Sequence, residues 1–264
     1  MTGPALQRVT DQAAFLLAPN PGPMTLDGTN SYVLGGSGSR SRIVVDPGPG
    51  DPAHLAALAA VGEVELILIT HRHHDHTEGA VGLARLTGAP VRAADPEHCI
   101  DGPPLRDGEI IEAAGLLVSV VATPGHTDDS VCFLLPGDGG TGSVLTGDTI
   151  LGRGTTVIAP PDGSLGSYLA SLRALAGLGP RFVLPAHGPQ LPDLSSVAAA
   201  YLAHREQRLD QIRSAIIVLG PEASVSAITD LVYVDIEPAV RLAAEHSVAA
   251  QLAYLRSDDG HQRT

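Results

Sequence analysis

The run Glu65-Leu-Ile-Leu-Ile-Thr70 ends directly in His71-Arg-His-His-Asp-His76. A short, continuous apolar stretch of this kind reads as a strand buried on both faces. Such a strand lies inside a sheet covered by other layers, which already restricts the chain to a layered α/β design. In extended backbone, alternate side chains point the same way, so His71 and His73 converge on one position. Asp75 and His76 then stand at the turn into the next helix, placed to reach a second position beside the first.

The same arrangement recurs along the chain. Residues 31–34 and 42–45 read as a hairpin around the turn Gly35-Gly-Ser-Gly38, and Asp46-Pro-Gly-Pro-Gly50 breaks the chain after it. Further strands are expected at Val91, 117–122, 130–135, 144–147 and 181–184, and helices at 52–60, 76–87 and 167–178. Three more ligand-type residues each follow a strand: His126 in Thr123-Pro-Gly-His126, Asp148 in Thr146-Gly-Asp148, and His187 in Pro185-Ala-His187. Strand ends gathered at one sheet edge are where open α/β sheets bind ligands. Imidazole and carboxylate donors suit Zn²⁺, with Fe or Mn also accepted, and the set is too large for one tetrahedral ion. The expectation is two zinc ions sharing a carboxylate. His54, His98, His204, His246 and His261 are read as ordinary hydrogen-bonded residues.

After Pro192 the pattern becomes helical, at 195–217, 225–232 and 238–254, with Ser195 or Ser196 as the first cap and Gly220-Pro221 as its stop. This divides the chain into residues 1–192 and a small C-terminal helical, winged-helix-like appendix at 193–264, read as a lid or packing element. Arg205, Arg208 and Arg213 are interrupted by Glu206 and Asp210 and read as a solvated face. The formal net charge of −13 repels phosphate backbones, so a nucleic-acid substrate needs a local basic groove. Cys99 and Cys132 lie far apart and in no metal-ligand spacing, as in a reducing compartment. No basic segment precedes an apolar one at the N-terminus, and no apolar run approaches the ~18 residues of a membrane span. The expected location is cytoplasmic, with no membrane partner.

The block His71-x-His73-x-Asp75-His76 with His126, Asp148 and His187 resembles the signature of the metallo-β-lactamase superfamily over roughly residues 25–190. The resemblance implies an αββα sandwich and a metal-dependent hydrolase. It also implies one ion on His71, His73 and His126, another on Asp75, His76 and His187, and Asp148 bridging them. An Asp at position 148 is typical of the thioesterase (glyoxalase II), lactonase and ribonuclease branches. Thr123-Pro-Gly-His-Thr-Asp-Asp-Ser130, Gly147-Asp-Thr-Ile-Leu-Gly-Arg-Gly-Thr-Thr156, Ala186-His-Gly-Pro189 and the stretch around His204-Arg205-Glu206 are similar to the lactamase-beta-like protein 2 branch. That branch carries a winged-helix-like C-terminal domain and includes an endoribonuclease acting on single-stranded RNA.

A paired-metal site of this kind presents hydroxide from a bridging water at neutral pH, and Asp75 would orient that water. The favoured expectation is phosphodiester cleavage of single-stranded RNA. The alternative is a small ester, thioester or lactone, with weak β-lactamase side activity. A mononuclear-iron sulfur dioxygenase and a DNA-binding regulator rank below both. Arg153, Thr155 and Thr156 are candidates for substrate contact, the competing reading being a turn packed beneath the site. Asn30 in Gly28-Thr-Asn-Ser31 is read as a turn residue, the alternative being support of the metal edge through hydrogen bonds.

Overall fold

In a computed structural model, which describes residues 5–235 and 237–257, the chain forms two sheets flanked by helices. His261 lies outside the described residues. The first sheet runs β1 (Gln7–Arg8), β2 (Ala13–Leu17), β3 (Asn30–Leu34), β4 (Ser41–Val45), β5 (Glu63–Leu68) and β6 (Val91–Arg92) in spatial order. Its pairings are antiparallel up to β4 and parallel from β4 to β6. The second sheet holds β7 (Ile110–Ala113), β8 (Leu116–Ala122), β9 (Val131–Leu135), β10 (Ser143–Gly147) and β11 (Phe182–Pro185), again in spatial order. Only β10 and β11 pair in parallel.

Each sheet buries both faces. Tyr32, Leu34, Ile43, Val45 and Leu68 from the first sheet meet Val118, Val120, Phe133, Leu135 and Leu145 from the second in the central layer. The outer face of the first sheet packs on α1 (Pro52–Ala59) and α3 (Ala80–Thr87) through Val44, Ile67, Leu58 and Leu83. The second sheet is covered by α4 (Leu165–Gly177) and α5 (Leu194–Leu219) through Val144, Val183, Tyr168, Leu172, Ala198 and Tyr201. This is the expected αββα sandwich, and burial on two sides explains why β3, β9 and β10 carry buried residues at every position.

Some elements differ from expectation. The helix expected over 76–87 is two helices, α2 (His74–Thr77) and α3, separated at Gly79. There the chain runs against α1 and the β4 loop: Gly79 N–H donates to Gly48 O at 2.8 Å, and a Cβ at this position would lie 2.8 Å from Leu55. Asp193, rather than Ser195 or Ser196, caps α5, and both serine hydroxyls donate to its carboxylate. The strands β1, β2 and β7 have no counterpart in the sequence-based expectation.

The C-terminal part of α5 packs on α6 (Val225–Val232) and α7 (Arg241–Arg256) through Ile212, Ala215, Ile228, Val248 and Leu252. Among the described residues no helix is long and apolar enough to cross a membrane, and both cysteines are free.

Candidate metal centre

The seven predicted ligands come together at one edge of the sandwich. His71 and His73 follow β5, Asp75 and His76 sit on α2, and His126, Asp148 and His187 follow β8, β10 and β11. The approach is tight, and glycines permit it. Gly125, with φ 141°, brings the chain so close to Tyr168 that a Cβ would lie 2.3 Å from its Cα. Gly147, with φ 50°, passes Thr70 where a Cβ would lie 2.7 Å from Oγ1. His126 and Asp148 are the next residues.

Two ligand groups result, joined by a third made of His71, His76 and Asp148. In the first, His71 Nε2 and His126 Nε2 each lie 3.0 Å from His73 Nδ1. In the second, Asp75 Oδ2 lies 3.1 Å from His187 Nε2 and 3.4 Å from His76 Nε2. Asp148 spans them: Oδ1 is 3.4 Å from His187 Nε2 and 3.7 Å from His76 Nε2, while Oδ2 is 3.6 Å from His126 Nε2.

The opposite ring nitrogens are committed elsewhere, which fixes the tautomers. His126 Nδ1–H donates to Val157 O at 2.9 Å and His187 Nδ1–H to Gly28 O at 3.2 Å, since a carbonyl can only accept. His76 Nδ1–H donates to Asp46 Oδ2 at 2.9 Å. Thr70 Oγ1–H also donates to Asp46 Oδ2, at 2.7 Å, so its oxygen accepts from His71 Nδ1–H at 3.1 Å. Four imidazoles therefore turn Nε2 inward, where it binds a cation once any proton on it is released. His76 Nε2, His187 Nε2 and Asp148 Oδ1 are buried and have no hydrogen-bond partner. Buried polar atoms of this kind call for a partner, and imidazole nitrogens with carboxylate oxygens fit a divalent cation.

Asp46 is the residue the sequence reading passes over as part of a chain break. It is buried, takes φ 51°, and accepts from Thr70 N, Thr70 Oγ1 and His76 Nδ1, orienting ligands of both groups. The available signal is its place at the end of β4, paired in parallel with β5, whose own end bears His71. Asn30 follows the alternative reading, support of the metal edge, rather than the favoured turn role. It opens β3, and its amide donates to Pro185 O and Gly188 O, both at 2.9 Å, bracketing His187.

The electrostatics divide along the same line. Burial and the imidazoles of His76, His126 and His73 hold His71 well below the usual histidine range. His73 is lowered by burial and by His126 and His76. Burial would lower His76 as well, but Asp46, Asp75 and Asp148 raise it well above that range. His187 is raised by Asp148 and Asp75 against the same burial penalty. Burial raises Asp75, yet His76 and His187 outweigh it and keep the carboxyl ionised far below its ordinary value.

The predicted substrate loop is placed differently from the metal ligands. Thr156 is buried beneath the centre and donates to Asp148 O at 2.5 Å, which corrects its assignment to substrate contact. Arg153 makes a bidentate pair with Asp27, at 2.8 and 3.1 Å, and Thr155 is half-buried beside it. From α5, Tyr201 hydrogen-bonds to Leu151 and Gly154, and Arg205 donates to Thr156 O. Arg205 is buried with its guanidinium over the Tyr168 ring, not on the solvated face expected of it. Packing decides this, because a helical pattern alone does not tell which face meets the sheet.

The sequence profile of the metallo-beta-lactamase superfamily matches residues 24–187. The chain is 36% identical over 219 residues to the lactamase-like protein nscB of Trichophyton rubrum, covering 81% of this chain and 65% of that protein. It is also 36% identical to the lactamase-like protein vrtG of Penicillium aethiopicum, over 81% of this chain and 68% of that one. The chain thus spans just under two thirds of the length of nscB. Among solved structures, a metallo-beta-lactamase family protein of Thermus thermophilus aligns with TM-score 0.75 and 26% identity over 93% of each chain. A beta-lactamase domain protein of Burkholderia ambifaria shares the fold, with TM-score 0.78 and 21% identity over 98% of this chain and 93% of that one. Profile, relatives and ligand geometry agree: the chain belongs to the metallo-beta-lactamase superfamily.

Proposed function

We propose that this protein hydrolyses an ester, thioester or lactone carrying an apolar acyl group, using two zinc-type ions. The observation that carries this reading is the cleft opening from the metal centre. It has a volume of about 480 Å³ and includes His73 and His126 on its wall. The remainder is mainly apolar: Met24, Val157, Ala159, Pro160, Pro161, Leu242 and the alanines of the C-terminal helices. Clefts of this size and lining suit a small organic substrate.

Single-stranded RNA is the weaker reading on the same grounds. The chain contains no lysine, so phosphate recognition falls to arginine. Arg72, at the rim, is tied to Asp128, Asp129 and Asp162. Arg153 is paired with Asp27, and Arg205 is buried. Among the described residues no arginine lines the cleft, whereas Asp162 does. A phosphate backbone would meet there a carboxylate that already occupies Arg72, and no uncommitted guanidinium.

His71, His73 and His126 would hold one ion, Asp75, His76 and His187 the other, with Asp148 between them. Bound cations would polarise the scissile carbonyl and acidify a water. Asp75 is kept ionised by His76 and His187 and is partly exposed, so it accepts a hydrogen bond from the attacking water and orients it. Asp46 and Thr70 hold protons on His76 Nδ1 and His71 Nδ1, which keeps the inward nitrogens as donors. The start of α7 walls the outer side of the cleft and excludes water from it.

The test is turnover by zinc-loaded protein of acyl thioesters, a lactone and nitrocefin beside single-stranded RNA, with an Asp75→Ala/His76→Ala control. Acyl hydrolysis lost in the control supports the proposal. Intact acyl substrates with control-sensitive RNA cleavage would return the reading to phosphodiester hydrolysis.

A further inference from the structure

The profile match ends at residue 187, but the cleft does not. Its outer wall is formed by Ala239, Leu242, Ala243 and His246, spaced so that they share one face where α7 begins. Two features of this wall are unusual for a helix that merely packs. Leu242 is 63% exposed, and so is Met24, at 53%, which lines the same cleft. His246, expected to be an ordinary hydrogen-bonded residue, is half-buried on the cleft and makes no hydrogen bond or ion pair among the described residues. The wall is firmly positioned, because Arg241 at the start of α7 pairs with Asp230 at 2.7 Å and Glu245 at 3.1 Å and donates to Ser226 at 3.0 Å. The opposite face of α7 is anchored by Val248 and Leu252 in the helical core.

We propose that this segment of α7 is the substrate-recognition wall of the enzyme: Leu242 packs against the apolar acyl group, and His246 hydrogen-bonds the polar part of the same ester or thioester. The inference rests on the acyl-hydrolase reading above and adds which residues set its selectivity. The occupant follows from continuity with the metal centre. A substrate whose carbonyl lies near His73 and His126 extends its acyl group along the Pro160–Leu242 side of the same cleft. Burying an apolar chain against Leu242 favours longer acyl groups over acetyl. A hydrogen bond from His246 serves both alike.

The experiment compares octanoyl and acetyl thioesters of N-acetylcysteamine on wild-type, Leu242→Gln, His246→Ala and His246→Gln proteins. Ile217→Gln, an 84%-exposed residue remote in sequence from the wall, is the control, and thermal melts verify folding of each variant. Leu242→Gln is expected to lower the octanoyl-to-acetyl ratio of kcat/KM by about tenfold, through KM. His246→Ala is expected to raise KM for both thioesters several-fold, with His246→Gln recovering part of the loss. An unchanged ratio and unchanged KM overturn the proposal. Wild-type protein that hydrolyses neither thioester would instead defeat the acyl-hydrolase reading. The wall is then tested by octanoate binding to the metal-free protein, read by NMR. Shifts at the Leu242 methyls and the His246 ring uphold it, and their absence overturns it.

Discussion

The two ligand groups of the metal centre use similar side chains and lean oppositely toward protons. His71 and His73 are depressed by burial and by neighbouring imidazoles, so these two rings are neutral at neutral pH. It also faces the cleft through His73 and His126. His76 and His187 are raised by carboxylates that outweigh burial, so in metal-free protein the second group holds protons where a cation would sit. A cation binds His71 and His73 almost without displacing protons from them and must displace protons from His76 and His187. The open half is therefore the one always ready for metal, and the enclosed half is the one that pH controls.

The largest effect should come from removing what the halves share. Asp148 directs Oδ1 at His76 and His187 and Oδ2 at His126. Asp148→Ala should lower kcat/KM by at least about 10³-fold and reduce metal content by emission spectroscopy. Retention of full metal content with the activity loss would show that Asp148 acts on the reaction and not on binding.

Asp46 and Thr70 allow the halves to be separated. Asp46→Ala frees His76 directly and His71 through Thr70, and should weaken zinc binding at both by about 10–100-fold. Thr70→Val leaves the His76–Asp46 contact and removes only the relay to His71. Calorimetric zinc titration should then show weakening of the first equivalent alone. Equal weakening of both equivalents by Thr70→Val would abolish the distinction drawn between the groups.

The pH dependence sharpens the same contrast. His76 has a raised folded pKa, so its charged contacts contribute stability in metal-free protein fully below about pH 6.5. That contribution is lost as pH rises through its folded value. His71 has a lowered value and behaves oppositely: its neutral burial costs stability as pH falls below about 6.5. Zinc titrations of metal-free protein between about pH 6 and 8 should show second-equivalent affinity rising with pH and proton release accompanying it. The first equivalent should change much less. Matching slopes for both would refute the assignment.

The ligand set was legible because it obeys a local rule: a His or Asp placed just after an apolar strand. His126, Asp148 and His187 stand out for that reason even though their strands are far apart in sequence. Asp46 follows the same rule at β4, but Pro47 and Gly48 after it made it look like punctuation. Arg205 illustrates a different limit. Its neighbours Glu206 and Asp210 suggest solvent, and only the packing of α5 on α4 places its guanidinium over Tyr168. The cleft was invisible in the sequence because Met24, His73, His126, Pro160 and Leu242 share no local pattern and meet only after folding.

The smallest predicted effect concerns the link between α5 and the centre. The Tyr201 hydroxyl accepts from Leu151 N at 3.0 Å and lies 3.1 and 3.0 Å from the carbonyls of Leu151 and Gly154. That loop continues to Thr156, whose hydroxyl reaches Asp148 O. Tyr201→Phe keeps the ring in its packed position and leaves the Leu151 N–H without its acceptor. The expected cost is about 1–3 kcal/mol, or a Tm lowered by a few degrees. Thr156 still holds Asp148 in this variant, so kcat/KM should fall by less than about tenfold and both zinc equivalents should keep their affinity. A loss as large as that of Asp148→Ala would mean that α5 positions the bridging carboxylate itself, and that the two halves of the centre depend on this helix rather than on the strand ends alone.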